Sequence, residues 1–187
     1  MRIGYRADQR FWLHVPSSFP SGDFPSMVEW EADVTERFRQ SRPDAGAGEV
    51  ELAREQARAA VRNLPPTASF GLQFWPAPAP LGVLLSVEVA PPLRAGDDPV
   101  VELLGDVELA FPPSIEAVET PELGSGILAR FIARSAVDGR EQPAGIGYVL
   151  SGRDCAVRIT SEATSTTMVG LIDAPLREVV ETMRVVA

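Results

Sequence analysis

Residues 127–160, ILARFIARSAVDGREQPAGIGYVLSGRDCAVRIT, decide the fold. Ile127, Ala129, Phe131 and Ala133 alternate with Leu128, Arg130, Ile132 and Arg134. A period of two sends successive side chains to opposite faces, so this is a strand. Asp138-Gly139 marks a two-residue hairpin, because both central positions of that turn need positive φ. Ile146, Tyr148 and Leu150 supply the return strand, and Ser151–Asp154 turns the chain again into Cys155, Val157 and Ile159. Strands joined by such tight turns are antiparallel.

Working outward, the C-terminal side reads as a further strand over Thr166–Ile172 and a helix capped by Asp173. Its stripe is Leu176, Val179, Val180, Met183 and Val186. On the N-terminal side, Asp98-Pro99 opens a short helix that Gly105 closes. The stretch 106–125 is irregular, with Val107, Leu109 and Phe111 suggesting a strand before Pro112-Pro113. Two strands, Phe70–Phe74 and Val83–Val89, flank the connector PAPAPLG, whose three prolines cannot lie inside a strand. Before them come two helices. The first is opened by the capping box Ser26/Glu29 and carries Met27, Trp30, Val34 and Phe38 on one stripe. The second spans about 49–64, and its polar side bears Arg54, Arg58 and Arg62 beside Glu51 and Glu55. The first residues read as a hairpin, with Ile3 and Tyr5 in one arm and Phe11, Leu13 and Val15 in the other.

Helices grouped in one block and at the end, rather than alternating with strands, give an α+β protein. The expectation is a single domain over 1–187. It has one antiparallel, mainly meander sheet of about six to seven strands, with helices packed on it and a closing C-terminal helix. A strand ending in VPSSFP (15–20), paired helices, a meander and the closing APLREVVETMRVV (174–186) resemble the PsbP-like and Ran-binding-protein-like superfamily of α/β/α sandwiches. That resemblance implies a largely non-catalytic protein acting through surface contacts, and it supplies no catalytic residue. A second likeness is to acidic secretion chaperones with a C-terminal amphipathic helix.

Chemistry is narrowed by composition. All seventeen basic residues are arginine, and there is one histidine, His14, and one cysteine, Cys155. A Schiff-base or phosphate-loop lysine is impossible, as is a zinc site of several cysteines and histidines from one chain. Net charge is −9, which disfavours a nucleic-acid partner or an anionic membrane. The N-terminal stretch lacks the apolar run of a signal peptide, and no stretch is long enough for a spanning helix. The expected location is therefore cytoplasmic, which suits a single cysteine with no internal disulfide.

Several constellations have two readings. His14 and Cys155 could form an activated nucleophile, but Cys155 shares phase with Val157 and Ile159, so a buried small hydrophobe is the expectation. Arg54, Arg58 and Arg62 could grip an anion, yet a solvated ladder with Glu51 and Glu55 is preferred. Arg130 and Arg134 with Leu128 and Ile132 make a face that is neither core nor plain solvent, expected to lie under a helix edge or a partner. Trp12 and Trp75 fall out of phase with the clearer apolar face of their strands. They are either second core or a binding surface, with second core preferred. No carboxylate pair can be singled out for acid–base work, so no catalytic, cofactor or metal residue is assigned.

The sequence thus points to an acidic binding or adaptor protein, in its concrete form a secretion-associated chaperone. It would work with a protein partner or a second copy through Arg130, Ile132, Arg134, Trp12 and Trp75. The rival is a small-molecule-binding protein or carboxylate-dependent hydrolase. A pocket of several hundred cubic ångströms would favour the rival, and a flat apolar–cationic patch the adaptor.

Overall fold

A computed structural model describes residues 2–22, 24–75, 82–135 and 142–186. Asp138-Gly139 and nearly all of the proline-rich connector lie outside the described residues. The elements run β1 (Arg2–Gly4), β2 (Trp12–Pro16), α1 (Met27–Ser41), α2 (Ala47–Asn63), β3 (Phe70–Phe74) and β4 (Val83–Ala90). They continue with α3 (Pro99–Leu104), β5 (Ser114–Thr120), β6 (Gly124–Ile132), β7 (Ala144–Ser151), β8 (Ala156–Ser161), α4 (Thr166–Glu181) and β9 (Arg184–Val186). The class is α+β. Seven strands form an antiparallel sheet in the order β2-β3-β4-β8-β7-β6-β5, and β1 and β9 form a separate pair. The chain divides into two compact units, Asp8–Ser86 and Met1–Ala7 with Val87–Ala187.

In the unit Asp8–Ser86, α1 and α2 cover one face of β2 and β3. Ser26 caps α1, its hydroxyl accepting from Glu29 N at 3.4 Å as expected of the cap and donating to the Glu29 carboxylate at 2.9 Å. The stripe Trp30, Val34 and Phe38 is buried. Trp30 and Val34 pack with Leu13, Val15, Ala57, Ala60 and Leu84. The Trp30 indole Nε1 donates to the His14 carbonyl at 3.2 Å, tying α1 to β2. The opposite face of these two strands carries Trp12, Leu72 and Phe74, paired in register as Trp12↔Phe74 and His14↔Leu72. Those three apolar side chains are buried as well.

In the second unit, register separates two faces. Ala129 and Val149 pack with Leu103 and Leu104 of α3. Leu128 pairs with Tyr148 and Arg130 with Ile146 on the other face, where Arg130 bonds Asp173 of α4 at 2.6 Å. Helices therefore cover both sides of β6 and β7. The Asp98 carboxylate caps α3 by accepting from Val100 N at 2.8 Å, and Gly105 closes it at φ 51°.

Three expectations are corrected. The first arm of the expected N-terminal hairpin pairs with the C-terminal strand instead, Arg2↔Val186 to Gly4↔Arg184. The Thr182 hydroxyl fixes this by accepting from Arg6 N at 2.9 Å and donating to its carbonyl at 3.0 Å. Meanwhile the Asp8 carbonyl accepts from both Phe11 N and Trp12 N at 2.9 Å, a tight turn that separates the arms. Next, Thr166–Ile172 is helix, not strand. Ser165 caps α4 through Met168 N at 3.2 Å, and Asp173, which with Pro175 mimics a helix start, lies inside it. Finally, the strand of the 106–125 stretch is β5, after the two prolines, and Leu109 makes only an isolated bridge to Ala133.

β6 crosses β7 closely at Gly126, where an added Cβ would collide with the Val149 carbonyl oxygen. Backbone cannot yield as a side chain can, so Gly126→Ala is expected to cost about 3 kcal/mol. Urea denaturation followed by circular dichroism measures it, and an unchanged midpoint would contradict this packing.

Candidate functional site

A cleft of about 440 Å³ opens in the unit Asp8–Ser86. It is built from the turn before β2, the last turns of α1 and the residue after β3. The turn at Asp8 places Phe11 at its lip, and Trp75 N donates to the Phe11 carbonyl at 2.6 Å. That bond extends the β2–β3 pairing by one step, and the Trp75 ring stacks on Phe38 of α1 at 5.7 Å and 22°. Trp12 meets Phe74 edge-on at 5.1 Å, and Phe11 lies parallel to Phe74 at 6.4 Å. Leu13 and Val34 complete the apolar wall. Aromatic walls of this kind bury large apolar area at little rotamer cost.

Polar groups are few. The Ser41 hydroxyl donates to the Phe38 carbonyl at 2.8 Å. Arg10 and Arg37 are the charged lining residues, held by Asp8 at 2.6 Å and Asp33 at 2.7 Å. Arg10 also lies over the Phe11 ring at 5.7 Å. The Asp8 carboxyl is held below its ordinary range by its hydrogen bonds to Arg10. The described lining contains no histidine, cysteine or carboxylate, and its apolar residues can desolvate a molecule held there.

Trp12 and Trp75, the two tryptophans singled out in the sequence, both line the cleft, with the Trp12 ring against Phe74 and the Trp75 ring against Phe38. Trp12 is buried, at 5% exposure, and Trp75 half-buried. Phe11, Phe38, Arg10 and Arg37 were not legible as site residues. Phe38 reads as core and the arginines as solvated charge, and nothing in their spacing joins positions 10, 37 and 75.

Arg130, Ile132 and Arg134 do not share one environment. Arg130 is half-buried between Asp173 of α4 at 2.6 Å and Glu116 of β5 at 3.4 Å. Arg177 of α4 also reaches Glu116, at 2.9 Å. A helix covers this face, one of the two covers expected of it. Tyr148 is buried beside the network, and burial pushes its phenol up to about 12. Ile132 is half-buried. Arg134 is exposed and pairs with Glu108 at 2.7 Å. Arg54 joins Glu51 at 2.6 Å as the ladder predicts, but Arg58 crosses to the buried Glu31 of α1 at 2.9 Å.

His14 reaches the surface on β2 with its ring 5.3 Å from Phe70. Partial desolvation of the ring by its neighbours lowers its pKa. Cys155 belongs to the other unit and is buried at 3% exposure. Burial first, and then the charge of Asp154, push its thiol up. Both causes oppose the thiolate a nucleophile needs. Among the described residues the displaced carboxyls, Asp8 and Glu116, move downward, the wrong direction for a general acid at neutral pH. Among the described residues no group of three His, Cys, Asp or Glu side chains is placed to hold a metal ion. None of the described helices is long and apolar enough to cross a membrane.

The Arg130 network makes two predictions. Arg130→Glu sets a third carboxylate against Asp173 and Glu116 and is expected to cost about 2 kcal/mol, whereas Arg134→Glu on the exposed pair stays within about 0.5 kcal/mol. Urea midpoints of the two variants compare them. Glu116 is lowered chiefly by its hydrogen bond from Arg177. Its contribution is therefore complete above the ordinary glutamate range and is lost as pH falls through the lowered folded value. The stability gap between wild type and Glu116→Gln should shrink with acidification, as melting temperatures at stepped pH will report.

Comparison with protein-family models, curated proteins and solved structures finds no match to any of the three.

Proposed function

We propose that this chain is a non-catalytic, cytoplasmic binding protein that takes an apolar ligand in the cleft between Phe11, Trp12, Phe38 and Trp75. The observation that carries the reading is the cleft itself. Its volume of about 440 Å³ falls in the range of roughly 300–1,000 Å³ typical of small-molecule sites. Its walls are aromatic and its polar groups sparse, which favours the small-molecule alternative over the adaptor built on Arg130. That arginine is already engaged by Asp173 and Glu116. An α/β/α sandwich of the PsbP-like and Ran-binding-like kind remains the fold-level proposal, supported by helices on both sides of β6 and β7.

A second reading, self-association, is favoured by β5. It is the terminal strand of the order, and Ile115 within it and Phe111 just before it are 42% and 60% exposed. An exposed edge of this kind can accept another strand. Light scattering tests it: a dimer mass lost in Ile115→Lys supports the reading, and a monomer mass in wild type rejects it.

The cleft is tested with N-phenyl-1-naphthylamine, a neutral aromatic probe whose emission rises on desolvation. Wild type should enhance it saturably. Phe11→Ala should weaken binding roughly tenfold by removing one ring from the lip, and Ser41→Trp should abolish it by filling the mouth. Equal titrations for all three proteins would refute the cleft as a binding site.

A further inference from the structure

The charged residues that line the cleft are cationic, and each is balanced by a carboxylate outside the lining. The protein carries 26 acidic residues against 17 arginines, yet both charged residues lining this cavity are arginine. Their carboxylate partners, Asp8 and Asp33, are not part of the lining and hold the guanidiniums from behind. Arg10 spends Nε and Nη2 on Asp8, at 3.0 and 2.6 Å. A guanidinium has five donors in a planar fork, more than one carboxylate can take. Pinned this way, each arginine keeps donors for a second acceptor and has already lost the rotamer freedom that gripping one would cost. The side chains of Arg10 and Arg37 are 81% and 43% exposed, so both stay accessible to a ligand in the cleft they line.

We infer that the ligand is an amphipathic anion: a flat apolar body seated between the rings, with a carboxylate or sulfonate head held by Arg10 and Arg37. The inference rests on the binding reading above and adds to it the sign and place of the ligand's charge. A neutral apolar molecule would leave the fork unused. A cation would find no carboxylate in the lining and would have to displace Arg10 or Arg37 from Asp8 or Asp33.

The test compares two probes of nearly the same aromatic body. One is 1-anilinonaphthalene-8-sulfonate and the other is neutral N-phenyl-1-naphthylamine, each titrated into the full chain. The quantity read is the ratio of their affinities, which cancels changes in wall packing. Arg10→Gln/Arg37→Gln should shift that ratio roughly tenfold toward the neutral probe, the weight of a charge-assisted hydrogen bond. Arg10→Lys/Arg37→Lys should restore part of it. Raising salt from 0.05 to 0.5 M, both nominal buffer settings spanning roughly a threefold change in screening length, should move the wild-type ratio the same way. An unchanged ratio in the glutamine variant overturns the anionic head. If Phe11→Ala still weakens both probes in that case, the cleft remains a binding site. Indifference of both probes to Phe11→Ala removes the cleft and this inference together.

Discussion

A strand buried on both faces has no side to give to water, and β3 and β7 are such strands. Each of the five residues of β3 is buried, and so are the first seven of β7. Burial on both sides requires a cover on both sides, and the rest of the molecule follows from that need. In the second unit the covers are α3 on the face of Ala129 and Val149 and α4 on the face of Leu128 and Tyr148. In the first unit α1 and α2 cover Leu13 and Val15. The aromatic residues Trp12 and Phe74 are buried on the reverse of the same strands.

The cleft arises where that covering stops. α1 is anchored at its N-terminal end by the cap at Ser26 and by the bond from the Trp30 indole to His14. Its last turns run past the start of β2. Trp75, one residue beyond the end of β3, extends the ladder by one bond to Phe11 and lays its ring on Phe38. The space left between helix and turn is lined by rings because both contributors are ends of buried apolar stripes. The arginines that line it belong to the solvent side of those same ends. Ring walls beside charged groups are thus a by-product of two amphipathic elements diverging, and that by-product is what gives the site its chemistry.

Local signals in the sequence were reliable where the structure used local contacts. Ser26/Glu29, Asp98-Pro99 and the alternation through Leu128–Phe131 each describe interactions within a few residues, and each is present. The misreadings involve distant partners or competing local signals. The strand Arg2–Gly4 is indifferent to its partner by pattern, and β9 supplies it from the other end of the chain. Thr166–Ile172 is rich in β-branched residues, but Ser165 caps it and Val169 and Ile172 are buried at helical spacing. Propensity yields to packing in that case. Arg58 satisfies i,i+3 spacing with Glu55, yet a buried carboxylate on the neighbouring helix attracts it more strongly than an exposed one on its own. Of the site, the two tryptophans were visible as out-of-phase aromatics. Their companions at 10, 11, 37 and 38 were not, because only folding brings the three segments together.

The sulfur at the head of β8 has a practical meaning. Since Cys155 is the chain's single cysteine and is 3% exposed, an alkylating reagent has one target and reaches it only when that strand peels open. The rate of mass gain under a large excess of reagent then counts opening events directly. It gives a clock for breathing at one defined point of the ladder, without labels or engineered residues.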